Sequence, residues 1–145
     1  MSTKLVIGLD GDSSGERALA FAKDLSKLIG ACELLVVYVI EWSPFSFQTA
    51  EENAERHKRR EEEITTAMAR VVEPAVAALT AARLSARGIV RHGDVADTLN
   101  AVAKKEGAAQ IIVARSTDNS LKKRIFGSAT AQLVMEADVP VTVIG

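Results

Sequence analysis

Two short stretches of this sequence carry side chains whose types and spacing suit ligand chemistry. The first is Leu9-Asp10-Gly11-Asp12-Ser13-Ser14, which follows an apolar run. It places a carboxylate, Asp10, where a buried strand would end, and a glycine beside it where the backbone can turn without steric penalty. A strand-tip carboxylate can accept hydrogen bonds from a ligand; Asp12, Ser13 and Ser14 read as turn and helix-capping residues. The second stretch runs from Ala114 to Thr130, ARSTDNSLKKRIFGSAT. Its Gly127-Ser128 pair is expected to open the last helix, where free N–H groups and the positive dipole end attract an anion. Ser128 and Thr130 add hydroxyl donors around Ala129. Arg115, Lys122, Lys123 and Arg124 keep the stretch positive, which favours a polyphosphate, although Lys123 reads best as a solvated surface residue. Taken alone, each stretch could be an ordinary turn or cap; a shared cleft is what would make them a site.

The elements that must position them can be read from hydrophobic periodicity. Five apolar runs rich in β-branched residues cover residues 4–9, 33–40, 84–91, 108–114 and 139–144. Most are apolar nearly throughout, as parallel strands buried on both faces are. The run at 84–91 alternates and is expected nearer an edge. Between the runs, Leu19, Ala22, Leu25 and Leu28 recur at helical spacing ahead of Gly30. A longer helix carries Ile64, Met68, Val71, Val72, Ala75, Val76 and Leu79 on one face, and Pro74 inside it should kink or restart it. Residues 94–106 form a third helix, with Asp94 as N-cap and Gly107 as stop, and residues 127–137 a fourth. Strand and helix in alternation predict an open five-stranded parallel sheet with helices on both faces, of the Rossmann-like α/β class, as a single domain over residues 1–145. In such sheets ligands bind outside the carboxyl ends of the strands, where strand order reverses.

Composition narrows the function. At 145 residues with 48% apolar and 26% charged side chains, the chain has an ordinary globular balance. A net charge of −1 with dispersed Lys and Arg argues against nucleic acid and acidic membrane partners. No signal-peptide pattern precedes the first strand and no apolar run suggests a membrane span, so a cytoplasmic location is expected. The lone cysteine, Cys32, reads as a small buried residue. Neither His57 nor His92 has companions at metal-ligand spacing.

The two stretches together resemble the universal stress protein family in its nucleotide-binding branch, and the resemblance covers nearly the whole chain. It rests on Leu5-Val6-Ile7-Gly8-Leu9-Asp10-Gly11, on Tyr38-Val39-Ile40-Glu41, on His92-Gly93-Asp94 and on Gly127-Ser128, followed by Ala137-Asp138-Val139-Pro140. That family's fold is the adenine nucleotide alpha hydrolase-like arrangement, and its ATP-binding loop reads G-x2-G-x9-G-[S/T]. Counting back from Gly127, the earlier glycines are replaced here by Ala114 and Thr117. The resemblance implies that Asp10 bonds the ribose and that the backbone of Val39 meets the adenine edge. It also implies that Ser128, Thr130 and the amides near Ala129 receive the phosphates, flanked by Ala114, Arg115 and Thr117. Alanine at 114 is tolerable if its φ is negative. Threonine at 117 resists positive φ, though its hydroxyl can replace an amide donor. The expected protein is therefore a non-enzymatic regulator in stress response with a modified site for ATP, AMP or another adenylate, Mg²⁺ accompanying the phosphates and any hydrolysis slow and incidental. It is expected to form a homodimer through the final strand, residues 139–145, and to engage a protein client.

Two other readings stand beside this one. A nucleotide-free dimeric interaction module of the same family would explain the lost glycines. Asp10-Gly11-Asp12 also resembles the opening motif of haloacid-dehalogenase-type phosphatases, in which both carboxylates help hold Mg²⁺; Gly93-Asp94 and Asp97 would then stand for that family's last acidic motif. The aromatic cluster Trp42, Phe45 and Phe47, after the second strand, could lid a nucleotide, dock a partner or pack as a local plug. Residues 51–63, dense in i,i+4 charge pairs, read as a solvated helical face.

Overall fold

The computed structural model describes residues 2–11, 14–41, 50–115 and 121–145, with side chains except at 14, 50–53 and 121–128. Asp12, Trp42, Phe45, Phe47 and Thr117 lie outside the described residues. The elements run β1 (Thr3–Leu9), α1 (Ser14–Ile29), β2 (Cys32–Glu41) and α2 (Ala50–Ala67). A π turn (Met68–Val72) leads into α3 (Glu73–Ala81), then β3 (Ser85–Gly93), α4 (Val95–Glu106), β4 (Gln110–Ala114), α5 (Leu121–Glu136) and β5 (Val141–Ile144). All strand pairs are parallel and the order is β3-β2-β1-β4-β5.

Apolar side chains of β1 point both ways, and both sides are sealed. Leu5, Ile7 and Leu9 join Leu34, Val36 and Ile112 under α1, α2 and α3, against Ala18, Ala22, Val72 and Leu79. Val6 joins Leu35, Val37, Ile111 and Val113 on the opposite face, with Leu99 of α4 and Leu133 of α5. That two-sided burial is why these strands read as unbroken apolar runs. The alternating third strand does lie at the edge, its exposed residues Ser85, Arg87 and Arg91 facing away from the core. Cys32 is buried, and burial pushes its thiol above the ordinary range.

Local signals decide where the helices break. Asp94 caps α4 by accepting from the Asp97 N–H at 3.0 Å, and Gly107 ends it with φ 67°. Pro74 cannot donate to the Arg70 carbonyl, and its ring would crowd that oxygen. The chain meets this with the wider turn just upstream, in which the Glu73 N–H reaches back to the Met68 carbonyl. By length and composition the continuous helix Ala54–Ala81 could cross a membrane. Its apolar stripe, including Ile64, Met68, Val71, Val72 and Leu79, packs instead on the sheet.

The π turn presses against β3 where β3 has no side chain. A Cβ on Gly88 would stand 2.3 Å from Val72 Cγ1 and 3.2 Å from Met68 Sδ. Gly88→Ala is therefore expected to lower stability by about 1–3 kcal/mol through overpacking. Denaturant unfolding will measure it, and adding Val72→Ala should recover part of the loss rather than sum with it.

Candidate functional site

The sheet changes direction of winding at β1. From it the chain steps outward to β2 and β3 on one side, then returns to β4 and β5 on the other. The carboxyl ends of β1 and β4 are thus neighbours, paired in register through Ile7 and Ile112. Asp10 stands one residue past the end of β1, and Arg115 one residue past the end of β4.

On the other flank, β1 and β2 pair only as far as Leu9 and Tyr38, whereas β2 continues to Glu41. Val39, Ile40 and Glu41 keep their β3 partners but have no β1 partner. Among the described residues, the β1-facing side of β2 therefore has no strand partner beside Asp10, and its peptide groups suit a flat polar edge. The Val39 side chain is buried on the α4 face, so only its backbone can take part.

Tyr38, which the sequence reading did not single out, completes this corner. Its ring folds across the tip of β1. A Cβ on Gly11 would lie 3.3 Å from Tyr38 Cε1 and 3.4 Å from its Oη, and Gly11 also has φ +79°. Glycine suits the position twice over: the turn has positive φ, and a Cβ would displace the ring by a few tenths of an ångström. Burial, then the nearby carboxylates of Asp10 and Glu41, hold the phenol above its ordinary range. The only advance signal was strand alternation, which puts Tyr38 on the face opposite Val39.

The β4 end is anchored rather than open. The Arg115 N–H donates to the Ile144 carbonyl at 2.7 Å, and the Arg115 carbonyl accepts from the guanidinium of Arg17 in α1. The Arg115 side chain leans toward the chain end, its Nη2 lying 3.6 Å from where a Gly145 Cβ would sit. Ala114 is buried under α1. Among described non-glycine residues only Arg83 has positive φ, so alanine replaces glycine at 114 without backbone strain.

One expectation is corrected. The last helix does not open at Gly127-Ser128; α5 begins at Leu121, so Gly127, Ser128, Ala129 and Thr130 all lie inside it. The preceding Leu121-Lys122-Lys123-Arg124 are good helix formers with no glycine or proline to stop them, and the helix extends through them. Its first-turn N–H groups accordingly belong to residues 121–124 rather than 127–130. Ala129 and Thr130 are half-buried.

Two clefts flank the β1–β2 corner. One, of about 550 Å³, lies between α1 and α3 and is bounded by Leu9, Gly11, Gly15, Leu19 and Pro74. The other, of about 570 Å³, lies between the β2 tip and α2, bounded by Tyr38, Ile40, Thr66 and Ala67. Arg70 and Val71 of the π turn border both. Neither cleft is lined by Ala114, Ala129 or Thr130. Among the described residues no three His, Cys, Asp or Glu side chains converge to hold a metal. Asp94 sits at the end of β3, two strands from β1, with its carboxylate engaged as a cap. The phosphatase reading rests on Asp10 together with Asp12, which lies outside the described residues.

This is an open α/β sheet with its chemistry gathered at the carboxyl ends of the central strands, the arrangement of nucleotide-binding folds. The sequence pattern of the universal stress protein family matches residues 1–145, and the chain belongs to that family. Among curated proteins no match was found. Solved structures share the fold at low identity. Hypothetical protein MJ0577 is 22% identical, with TM-score 0.76 over 99% of this chain and 96% of its own. A universal stress protein in complex with cAMP is 18% identical, with TM-score 0.66 over 99% and 96%. One from Archaeoglobus fulgidus in complex with dAMP is 18% identical, with TM-score 0.62 over 99% and 98%.

The Asp10–Tyr38 geometry has a direct spectroscopic consequence. Tyr38 is the chain's only tyrosine, so phenolate absorbance reports it alone. Asp10→Asn removes a negative charge that opposes phenolate formation, and the titration midpoint should fall toward the ordinary tyrosine value. An unmoved midpoint would show that the carboxylate does not face the ring.

Proposed function

We propose that the protein is a cytoplasmic regulator in stress response that binds an adenine nucleotide and acts as a homodimer, without being an enzyme. The observation that carries the reading is the strip of β2 backbone at Val39–Glu41 that has no β1 partner beside Asp10. A peptide edge suits the donor–acceptor edge of adenine, and an adjacent carboxylate suits ribose hydroxyls. Two solved relatives hold cAMP and dAMP, which supports the ligand class.

Phosphate binding is the part that demands most of this chain. Ala114 has an ordinary strand backbone, and Thr117 contributes a hydroxyl in place of a glycine amide. For the amides of Gly127, Ser128, Ala129 and Thr130 to reach a phosphate, α5 must start at Gly127, with residues 121–126 as loop. Gly127 is the cheapest point to break it, since glycine costs a helix interior roughly 1 kcal/mol relative to alanine. Mg²⁺ would then arrive as the counter-ion of the phosphates rather than in a protein-built cage. The helical start at Leu121 also favours a second reading, an interaction module of the same family that works without nucleotide.

The two readings separate in one thermal-shift series with ATP, ADP, AMP and no ligand. A nucleotide at a hundredfold excess over its Kd should stabilise by about 2.7 kcal/mol, raising the midpoint by roughly 5–10 °C. Asp10→Ala and Gly127→Val should each remove the shift, and chromatography of the denatured protein should release an adenylate. An unshifted midpoint with every nucleotide would leave the interaction module.

Dimerisation would use β5, an edge strand whose Val143 is 40% exposed; Val134 and Met135 of α5 are exposed as well. Pairing with the same strand of a second copy would cover that edge. Val143→Lys should convert a dimer to a monomer in light scattering coupled to size exclusion, while a wild-type monomer would discard the assembly.

A further inference from the structure

We propose that Tyr38 is a specificity-determining residue that, together with Asp10, reads a ribose hydroxyl of the bound nucleotide and so selects ribonucleotides over deoxyribonucleotides. The inference rests on the nucleotide reading above and adds a residue to it. A sugar hydroxyl both donates and accepts. A carboxylate only accepts, so Asp10 can receive a hydrogen bond from the hydroxyl but cannot donate one to its oxygen. The Tyr38 phenol supplies the missing donor. Its Oη lies 3.4 Å from where a Gly11 side chain would begin, over the same strand tip that carries Asp10. Glycine at 11 lets the ring lie this close, since a Cβ there would push it back by a few tenths of an ångström.

Among the described residues the Tyr38 phenol makes no hydrogen bond, although a half-buried tyrosine hydroxyl ordinarily finds a partner. Its ring walls the cleft between β2 and α2 with Ile40, Ala67 and Val71, which holds it in place before a ligand arrives. Burial, then the carboxylates of Asp10 and Glu41, hold the phenol above its ordinary range, on the side of the protonated donor. A site whose polar groups are matched to a hydroxyl discriminates against the analogue lacking it, because those groups are then left unpaired.

Calorimetric titration of the full chain with ATP, 2′-deoxyATP and 3′-deoxyATP tests this. Wild type should favour ATP over at least one deoxy analogue by roughly tenfold. Tyr38→Phe, which keeps the ring and its packing, should lower ATP affinity to the level of that analogue, leave the analogue's own affinity unchanged, and bring the ratio near one. Equal affinities in wild type, or a ratio that survives Tyr38→Phe, would overturn the inference while leaving nucleotide binding intact. Failure of wild type to bind all three would overturn the nucleotide reading, and this inference with it.

Discussion

The structure depends on burying β1 from both sides. Leu5, Val6 and Ile7 are wholly shielded from solvent, a condition that only a central strand with helices above and below can meet. Once β1 is central, the chain has to leave it toward β2 and come back on its far flank as β4. The reversal of winding direction, and the crevice it opens, follow from that burial. The opposite end of the sheet is closed by charge. Glu106 at the end of α4 accepts from Arg87 at 2.6 Å and meets Lys4 at 3.4 Å, tying β1, β3 and α4 together. Arg87 also reaches Glu33 of β2. Arg87, and secondarily Lys4, hold the Glu106 carboxyl below the usual carboxylate range.

At the carboxyl end the described residues of β1 and β2 are arranged differently. Unequal strand length governs that end: β2 continues where β1 stops, and the peptide groups of that extension have no β1 partner. Gly11 permits the turn that takes β1 out of the way and also makes room for the aromatic ring of β2. One small residue thereby sets both the shape of the corner and its donor chemistry. On the β4 side, Arg17 and the β5 backbone hold the chain at Arg115.

How much of this was legible in the sequence follows from which forces act locally. The strands were legible because two-sided burial writes an unbroken apolar run, and the edge position of β3 because Ser85, Arg87 and Arg91 interrupt one. Asp94, Gly107 and Pro74 acted as their local chemistry requires. The start of α5 was not legible. Gly127-Ser128 looks like a helix opening, but helix formers upstream outweigh that signal, and only the whole segment's energetics decides the boundary. Tyr38 was hidden for another reason: its environment is made by Gly11, Asp10 and the ends of two strands, none of which a reading along β2 alone can weigh. The same holds for the overhang at Val39, since strand length relative to a neighbour is a property of register.

The sheet's two margins carry different business. The corner beside β2 lies three strand spacings from β5, roughly 14 Å across the sheet. A macromolecule that lengthens the sheet at β5 would therefore sit too far away to obstruct a small molecule entering between β2 and α2. At the proposed adenine end, occupancy and assembly are thus separated by the width of the sheet; at the proposed phosphate end they adjoin, because Arg115 at the tip of β4 donates to the Ile144 carbonyl of β5.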